Sequence, residues 1–525
     1  MRMATLSAAV LVLAPVFSAT AASVPKAQCR KGDKPESGLQ GETTQAEVDS
    51  GASKLGFNCN VDLVGSVQGE GANWQLAAWK NCAYYDQSGY ALSKIQHPGT
   101  VAVDVSDPAH PQITDYLTTP AMLDPWESLK VNAKRQLLAG DQGTYPTAGP
   151  GFSIYDISGD CRHPVLKSAV NLPGSSGHTG QWAPDGNTYY ITPLKASTSI
   201  LPVDTTDTTN PKVIPCGAGT TGCNSSGFWV APPPLNPIFH DLELSKDGNT
   251  AYVAMIASAG CCGGLPPTVP NGLLILDVSD IQSRKDNPAI RVLGSLDWDD
   301  GSIAAQNALP VTIGGKPYII FTDEGGRGAA GCSQGKSAHG FPRLIDVSDP
   351  RAPKLVSKVQ LEVQDPANCT MASSGILWSP TAHPTYSTHY CNVDDADNAT
   401  IMACSNWGSG LRIFDIRDPL NPREIGYYKP PGQGKKELYG SVYFTRLVGG
   451  NTSFDRPIDL TPAKPSFPRD RGMTTGDIWM TSQDNGFQVV RFDQGGGGGG
   501  CSSAGGSLGA IVGLAVLGLL RRQRR

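Results

Sequence analysis

Eight histidines occur in 525 residues, and three of them occupy like places. His178 lies seven residues before Asp185 in "HTGQWAPDGN", His240 seven before Asp247 in "HDLELSKDGN", and His389 eight before Asp397 in "HYCNVDDADN". Glu127 falls near the same place in "ESLKVNAKR". Imidazole nitrogens and carboxylate oxygens are ligands that copper, zinc and iron accept. If these four side chains converge, they imply one transition-metal ion as cofactor, with Asp241 beside His240 to orient it. The plainer alternative is a set of loop-end histidines that each hydrogen-bond a neighbouring strand. Other catalytic signatures are absent from the sequence: there is no G-x-S-x-G elbow, phosphate-binding loop or H-E-x-x-H. The acidic runs "DNPAIRVLGSLDWDDGS" and "CNVDDADNAT" lack the alternating ligand spacing of a calcium loop and read as solvated loops.

Convergence depends on the elements that carry these residues, and a repeated phrase identifies them. "LRIFDIRDPLNPREIGYY" recurs in variant form along the chain. "TVAVDVSDPAHPQI" reaches its aspartate at Asp104, "FSIYDISGDCRHPVL" at Asp156 and "SILPVDTTDTTNPKVI" at Asp204. "LLILDVSDIQSRKDNPAI" has Asp277, "PRLIDVSDPRAPKLV" has Asp346, and the phrase quoted first has Asp415. A degraded copy, "GFQVVRFDQ", carries Arg491 in place of the aspartate. The aliphatic, often β-branched quartet favours a strand. The aspartate can accept local backbone N–H groups and proline fixes the turn, so the repeated aspartates read as structural. A second short strand follows each turn, and two further strands precede several copies. Such a four-stranded unit cannot bury both faces alone and must stack. The expectation is an all-β fold, a β-propeller of seven blades with four antiparallel strands each. A β-solenoid is the alternative. The histidines then open the first strand of their blades, the one that lines a propeller's central channel.

These segments resemble LVIVD repeats, a family of exported bacterial and archaeal propeller-like proteins. The matching features are the apolar quartet, its aspartate and the D-P-x-x-P turn, clearest from Asp346 to Pro353 and from Asp415 to Pro422. The resemblance spans 57–493 and implies fold and location rather than an activity.

Both ends read as addresses. Arg2, an apolar run from Leu6 to Phe17 and Ala19-Thr20-Ala21 compose a signal peptide at 1–21, with cleavage after Ala21. An N-terminal extension at 22–56 precedes the propeller. Beyond it come a Gly-rich linker at 494–507, a short apolar segment at 508–520 and a basic tail at 521–525. At about 1.5 Å per residue that segment is short for a hydrocarbon core of about 30 Å. The arrangement resembles bacterial sorting tails of the GlyGly-CTERM and MYXO-CTERM type, the glycine run matching the first and Cys501 the second. That resemblance implies transient membrane anchoring and a sorting protease as partner.

Thirteen cysteines agree with export, because an oxidising compartment preserves disulfides. Cys216–Cys223, Cys391–Cys404 and Cys59–Cys82 are the candidate pairs, and Cys261 and Cys262 are adjacent. The net charge of −5 with no basic stripe in the body excludes a nucleic-acid partner. The sequence thus favours an exported, surface-anchored binding module that recognises a protein, glycan or envelope component through variable loops. The alternative is a metal-dependent enzyme with a histidine cluster in its channel.

Overall fold

The computed structural model describes residues 23–493, apart from 88–94, 144–148, 173–176, 194–198, 218–221, 224–226, 231–237, 257–270, 370–384, 433–441, 443 and 448–474. A separate unit, Gly495–Arg525, lies outside these residues, as do Ala21, Cys261, Cys262, Cys501 and the apolar stretch 508–520. Among the described residues no helix is long and apolar enough to cross a membrane.

Seven antiparallel sheets follow one another along the chain and form a seven-bladed β-propeller. The first strands of the blades are Leu76–Trp79, Lys130–Asn132, Thr179–Trp182, Ile238–Leu244, Ser302–Ile313, Thr388–Val393 and Phe444–Leu447, and we number the blades 1 to 7 in that order. Each first strand packs against the next, and that of blade 7 packs against that of blade 1. The ring therefore closes around a central axis. Four strands per blade is the rule. Blade 3 gains Trp229–Val230 and blade 6 gains Phe57–Cys59 as extra strands.

Closure uses the N-terminus. Val61–Val67 pairs with Gly486–Asp493 as the outermost strand of blade 7, Val61 lying opposite Phe492. The preceding Phe57–Cys59 pairs instead with Arg423–Lys429 of blade 6. One short segment thus ties two blades together and leaves neither edge bare. Between blades the faces bury apolar side chains, such as Ala77, Tyr84, Leu129, Val131, Leu138 and Tyr155 between blades 1 and 2. Each fully buried leucine there contributes about 1.5–3 kcal/mol.

The repeated aspartates all end third strands, and all six work the same way. Asp104, Asp156, Asp204, Asp277, Asp346 and Asp415 accept the backbone N–H two residues on, at 2.8–3.1 Å. Burial works against the charge of Asp415, but the Arg417 guanidinium and amide and the Arg423 guanidinium outweigh it and hold its carboxyl down to about 2. A folded value below the unfolded one, 3.8, means stability that is present above pH 3.8 and lost as pH falls toward 2. Asp415→Asn is therefore expected to lose about 1–2 kcal/mol at pH 7 and to converge with wild type near pH 2. Urea denaturation midpoints across that range measure it.

The extension before blade 7 is structured. A helix at Gln45–Asp49 is closed by a capping box between Thr44 and Glu47. Val24 donates its N–H to Gln360 O, and Gln40 accepts from the Val363 N–H. Among the described residues five disulfides are formed: Cys29–Cys59, Cys82–Cys161, Cys216–Cys223, Cys332–Cys369 and Cys391–Cys404. The expected Cys59–Cys82 pair is corrected. Cys59 lies on the outer edge of blade 6 and Cys82 in the second strand of blade 1, with blade 7 between them. Cys59 instead holds the extension through Cys29, and Cys82 joins blade 1 to blade 2 through Cys161.

Candidate metal centre

Antiparallel order fixes which residues can meet. First strands begin at one face of the disc, and second strands return to it. Third strands run parallel to the first and end at the opposite face, where the repeated aspartates lie. His178 immediately precedes the first strand of blade 3, His240 is the third residue of Ile238–Leu244, and His389 is the second of Thr388–Val393. Glu127 lies three residues before Lys130–Asn132 and bridges Thr179, its N–H donating to His178 O. All four sit at the face away from the aspartate turns.

The local backbone is irregular where the ligand candidates stand. Strand pairing shifts between Phe239 and Leu242, between Thr388 and Cys391, and at several points from Ser302 to Asn307. A bulge adds a residue and re-aims side chains that strict alternation would turn away. Consecutive residues are buried here, as on the other inner strands, because both faces of a blade are covered: His240 with Asp241, His389 with Tyr390, and Gln306 with Asn307. Trp126 adopts φ +49°, a left-handed conformation that a bulky side chain seldom takes, directly before Glu127. Gly177, before His178, passes so close to Asp141 that a Cβ there would collide with the carboxylate.

The four predicted residues do converge. His178 Nε2 lies 3.2 Å and His240 Nε2 3.5 Å from Glu127 Oε2, and the two Nε2 atoms are 3.1 Å apart. His389 Nε2 lies 2.7 Å from Glu127 Oε1. Metal bonds of about 2.0–2.2 Å in tetrahedral array separate ligand atoms by about 3.3 Å. The triangle of His178, His240 and Glu127 Oε2 already has that size. A fifth group, Glu324 from the second strand of blade 5, was not foreseen; its Oε1 is 3.9 Å from His240 Nε2 and its Oε2 3.8 Å from His389 Nε2. Its signal was available in "PYIIFTDEGG", where an apolar strand ends in two adjacent acids. All five side chains are buried, His178 being the most accessible at 6%.

Supporting contacts set proton positions. His240 Nδ1 faces the Gln306 carbonyl at 3.1 Å; a carbonyl only accepts, so Nδ1 carries the proton and the Nε2 lone pair faces the cluster. Burial, outweighing the Glu127 charge, lowers His240 to about 3, which leaves the imidazole neutral. The side-chain amide of the same Gln306 donates to Glu127 Oε1 at 3.0 Å. Burial and the neighbouring Glu127 push the Glu324 carboxyl well above the usual range. The His240 lone pair thus faces Glu127 and Glu324, while His178 and His389 stand at hydrogen-bond distance from the Glu127 carboxylate, an arrangement in which a cation can take the place of the shared protons. The role expected of Asp241 is corrected: it accepts from Asn307 Nδ2 and Tyr390 Oη, both at 3.1 Å, while Gln306 orients His240. Tryptophans wall the cluster. Trp407 lies 4.4 Å from the His389 ring, Trp126 5.3 Å from His178, and Trp74 stacks on Trp126 at 4.3 Å.

Residues 95–119 match the LVIVD repeat family. The chain carries an LVIVD repeat. The match falls on Thr100–Asp104 and Gln112–Leu117, the third and fourth strands of blade 1 and the turn between them. No curated protein matches the chain. Among solved structures, the β-propeller domain of Cps50 (Swd1) from Myceliophteria thermophila is 10% identical, with 82% of this chain and 99% of that chain covered and a TM-score of 0.45. A hypothetical selenium-binding protein from Sulfolobus tokodaii is 14% identical, with 79% and 92% covered and a TM-score of 0.45. Hydrazine synthase from Kuenenia stuttgartiensis is 12% identical, with 82% and 96% covered and the same score. At such identities the likeness extends to the fold and no further.

Proposed function

We propose that the protein is an exported, metal-dependent enzyme whose centre is the His178, His240, His389, Glu127 and Glu324 cluster at one end of the propeller axis. One observation carries the reading. The Nε2 atoms of His178 and His240 and Glu127 Oε2 form a buried triangle with edges of 3.1–3.5 Å, the ligand spacing of a bound transition metal. This moves the emphasis from recognition at the loops, which the sequence favours, to chemistry at the axis. A small substrate suits the site, because every ligand side chain is buried. Export is supported by five disulfides in the described residues, which persist outside the reducing cytosol.

Elemental analysis of the purified full-length chain, after growth with copper, zinc and iron, tests the reading. Bound metal that survives desalting is the expected result. Metal-free protein that also fails to bind added ion overturns it. Because Trp126 and Trp407 touch the cluster, adding copper(II) to stripped protein should quench tryptophan fluorescence severalfold, and a chelator should restore it.

A further inference from the structure

We propose that the cluster is built for two cations held side by side, with Glu127 and Glu324 each lending one carboxylate oxygen to each cation. The inference rests on the metal reading above and deepens it. Its ground is the way the ligand atoms sort. Glu127 turns Oε2 to His178 and His240, at 3.2 and 3.5 Å, and Oε1 to His389, at 2.7 Å. Glu324 divides in the same sense, Oε1 toward His240 at 3.9 Å and Oε2 toward His389 at 3.8 Å. Two overlapping ligand sets result. Glu127, His178 and His240 form one, and Glu127, Glu324 and His389 form the other, with the ligand atoms of each within 4.8 Å of one another.

A single ion does not use this arrangement well. Three imidazole nitrogens and four carboxylate oxygens make seven donors, more than zinc, copper or iron takes up at bonds of about 2.0–2.2 Å. Two ions separated by about 3.5–4 Å, the spacing of paired catalytic centres, use one oxygen of each carboxylate apiece. The two sets also differ. The His178/His240 set has two nitrogens and the close edges of a preformed site. The His389 set has one nitrogen and the wider spacing, so the first cation should bind more tightly than the second. Two divalent ions against two carboxylates leave a net charge of +2 in a buried cluster, which favours an anionic ligand or substrate at the centre.

The test is stoichiometry, with zinc(II) and cobalt(II) as the only probes. Stripped full-length chain is titrated with each ion, desalted and analysed for metal per chain. Two ions per wild-type chain are expected, falling to one in His389→Ala. Glu324→Gln provides a second variant should His389→Ala fail to fold; because Glu324 reaches both cations it should weaken both steps, the second at least about 10-fold more than the first, which keeps two imidazoles and Glu127. One ion per wild-type chain at saturation overturns the paired centre and leaves the metal reading standing. No bound ion overturns both. Two ions that both persist in His389→Ala and Glu324→Gln would place the second elsewhere and overturn the assignment.

Discussion

Replacing His240 with alanine is expected to weaken metal binding at least about 100-fold, the largest loss for any single side chain of the cluster. The reason is its position. His240 Nε2 faces His178, Glu127 and Glu324 at once, at 3.1, 3.5 and 3.9 Å. The structure also fixes the proton of its ring away from the cluster, through Nδ1 and the Gln306 carbonyl. Removing it deletes a preorganised lone pair and leaves the Gln306 carbonyl without its donor. Competition against a chromophoric chelator gives the affinity, and a thermal melt of the metal-free variant shows whether the fold survives. Asp241→Asn is the informative control. If Asp241 oriented His240, that variant would lose affinity too. With Gln306 in that role, Asp241→Asn should keep metal affinity within about 10-fold of wild type. An unchanged affinity in His240→Ala would remove His240 from the ligand set.

The parts of this centre differed in how legible they were. His178, His240 and His389 could be found because each stands seven or eight residues before a turn aspartate, and a propeller brings equivalent positions to one axis. The repeated aspartates could be assigned to turns for a similar reason, since one physical task repeated per blade leaves one pattern. Glu324 stands on a second strand, at a place no other blade repeats, so periodicity carried no sign of it. The bulges at 239–242 and 388–391 were also hidden, because alternation is what a sequence displays and a bulge is a departure from it. Cys59 misled for a topological reason: it is near Cys82 along the chain but stands on the far side of the closure.

The two faces of the disc divide the labour. The turns that define the repeat close third strands at one face, where every aspartate is occupied by backbone amides. The ligands open first strands at the other. Selection for stable turns and selection for a reactive centre can therefore act on the same blade without conflict. That division explains why the repeat, however regular, says little about chemistry.

Glu36→Gln is expected to destabilise the propeller by about 3–5 kcal/mol, although Glu36 lies outside the repeats and far along the chain from its partners. Glu36 bonds the Arg412 guanidinium at 2.6 Å and faces Lys429 Nζ at 3.6 Å. Both cations are fully buried on blade 6, and Glu424 is the other carboxylate there, 3.0 Å from Arg412. Burial opposes the charge of Glu36 as well, yet Arg412 and Lys429 outweigh it and hold its carboxyl below 4.5. Neutralising Glu36 removes the carboxylate that faces both cations and leaves Glu424 and the Glu47 charge to offset them, and the lost charge pairing carries the loss. The pH dependence distinguishes this cause from lost packing. Burial already lowers Lys429 to about 8 from 10.5. A base with a depressed folded value gains stability as pH rises from that value toward the unfolded one, because the unfolded chain then binds more protons. Without Glu36 the folded value falls further, so recovery begins at lower pH. Urea denaturation should show the variant regaining part of its deficit between pH 7 and pH 10. A deficit independent of pH across that range would show that Glu36 acts through shape and hydrogen bonding rather than through charge.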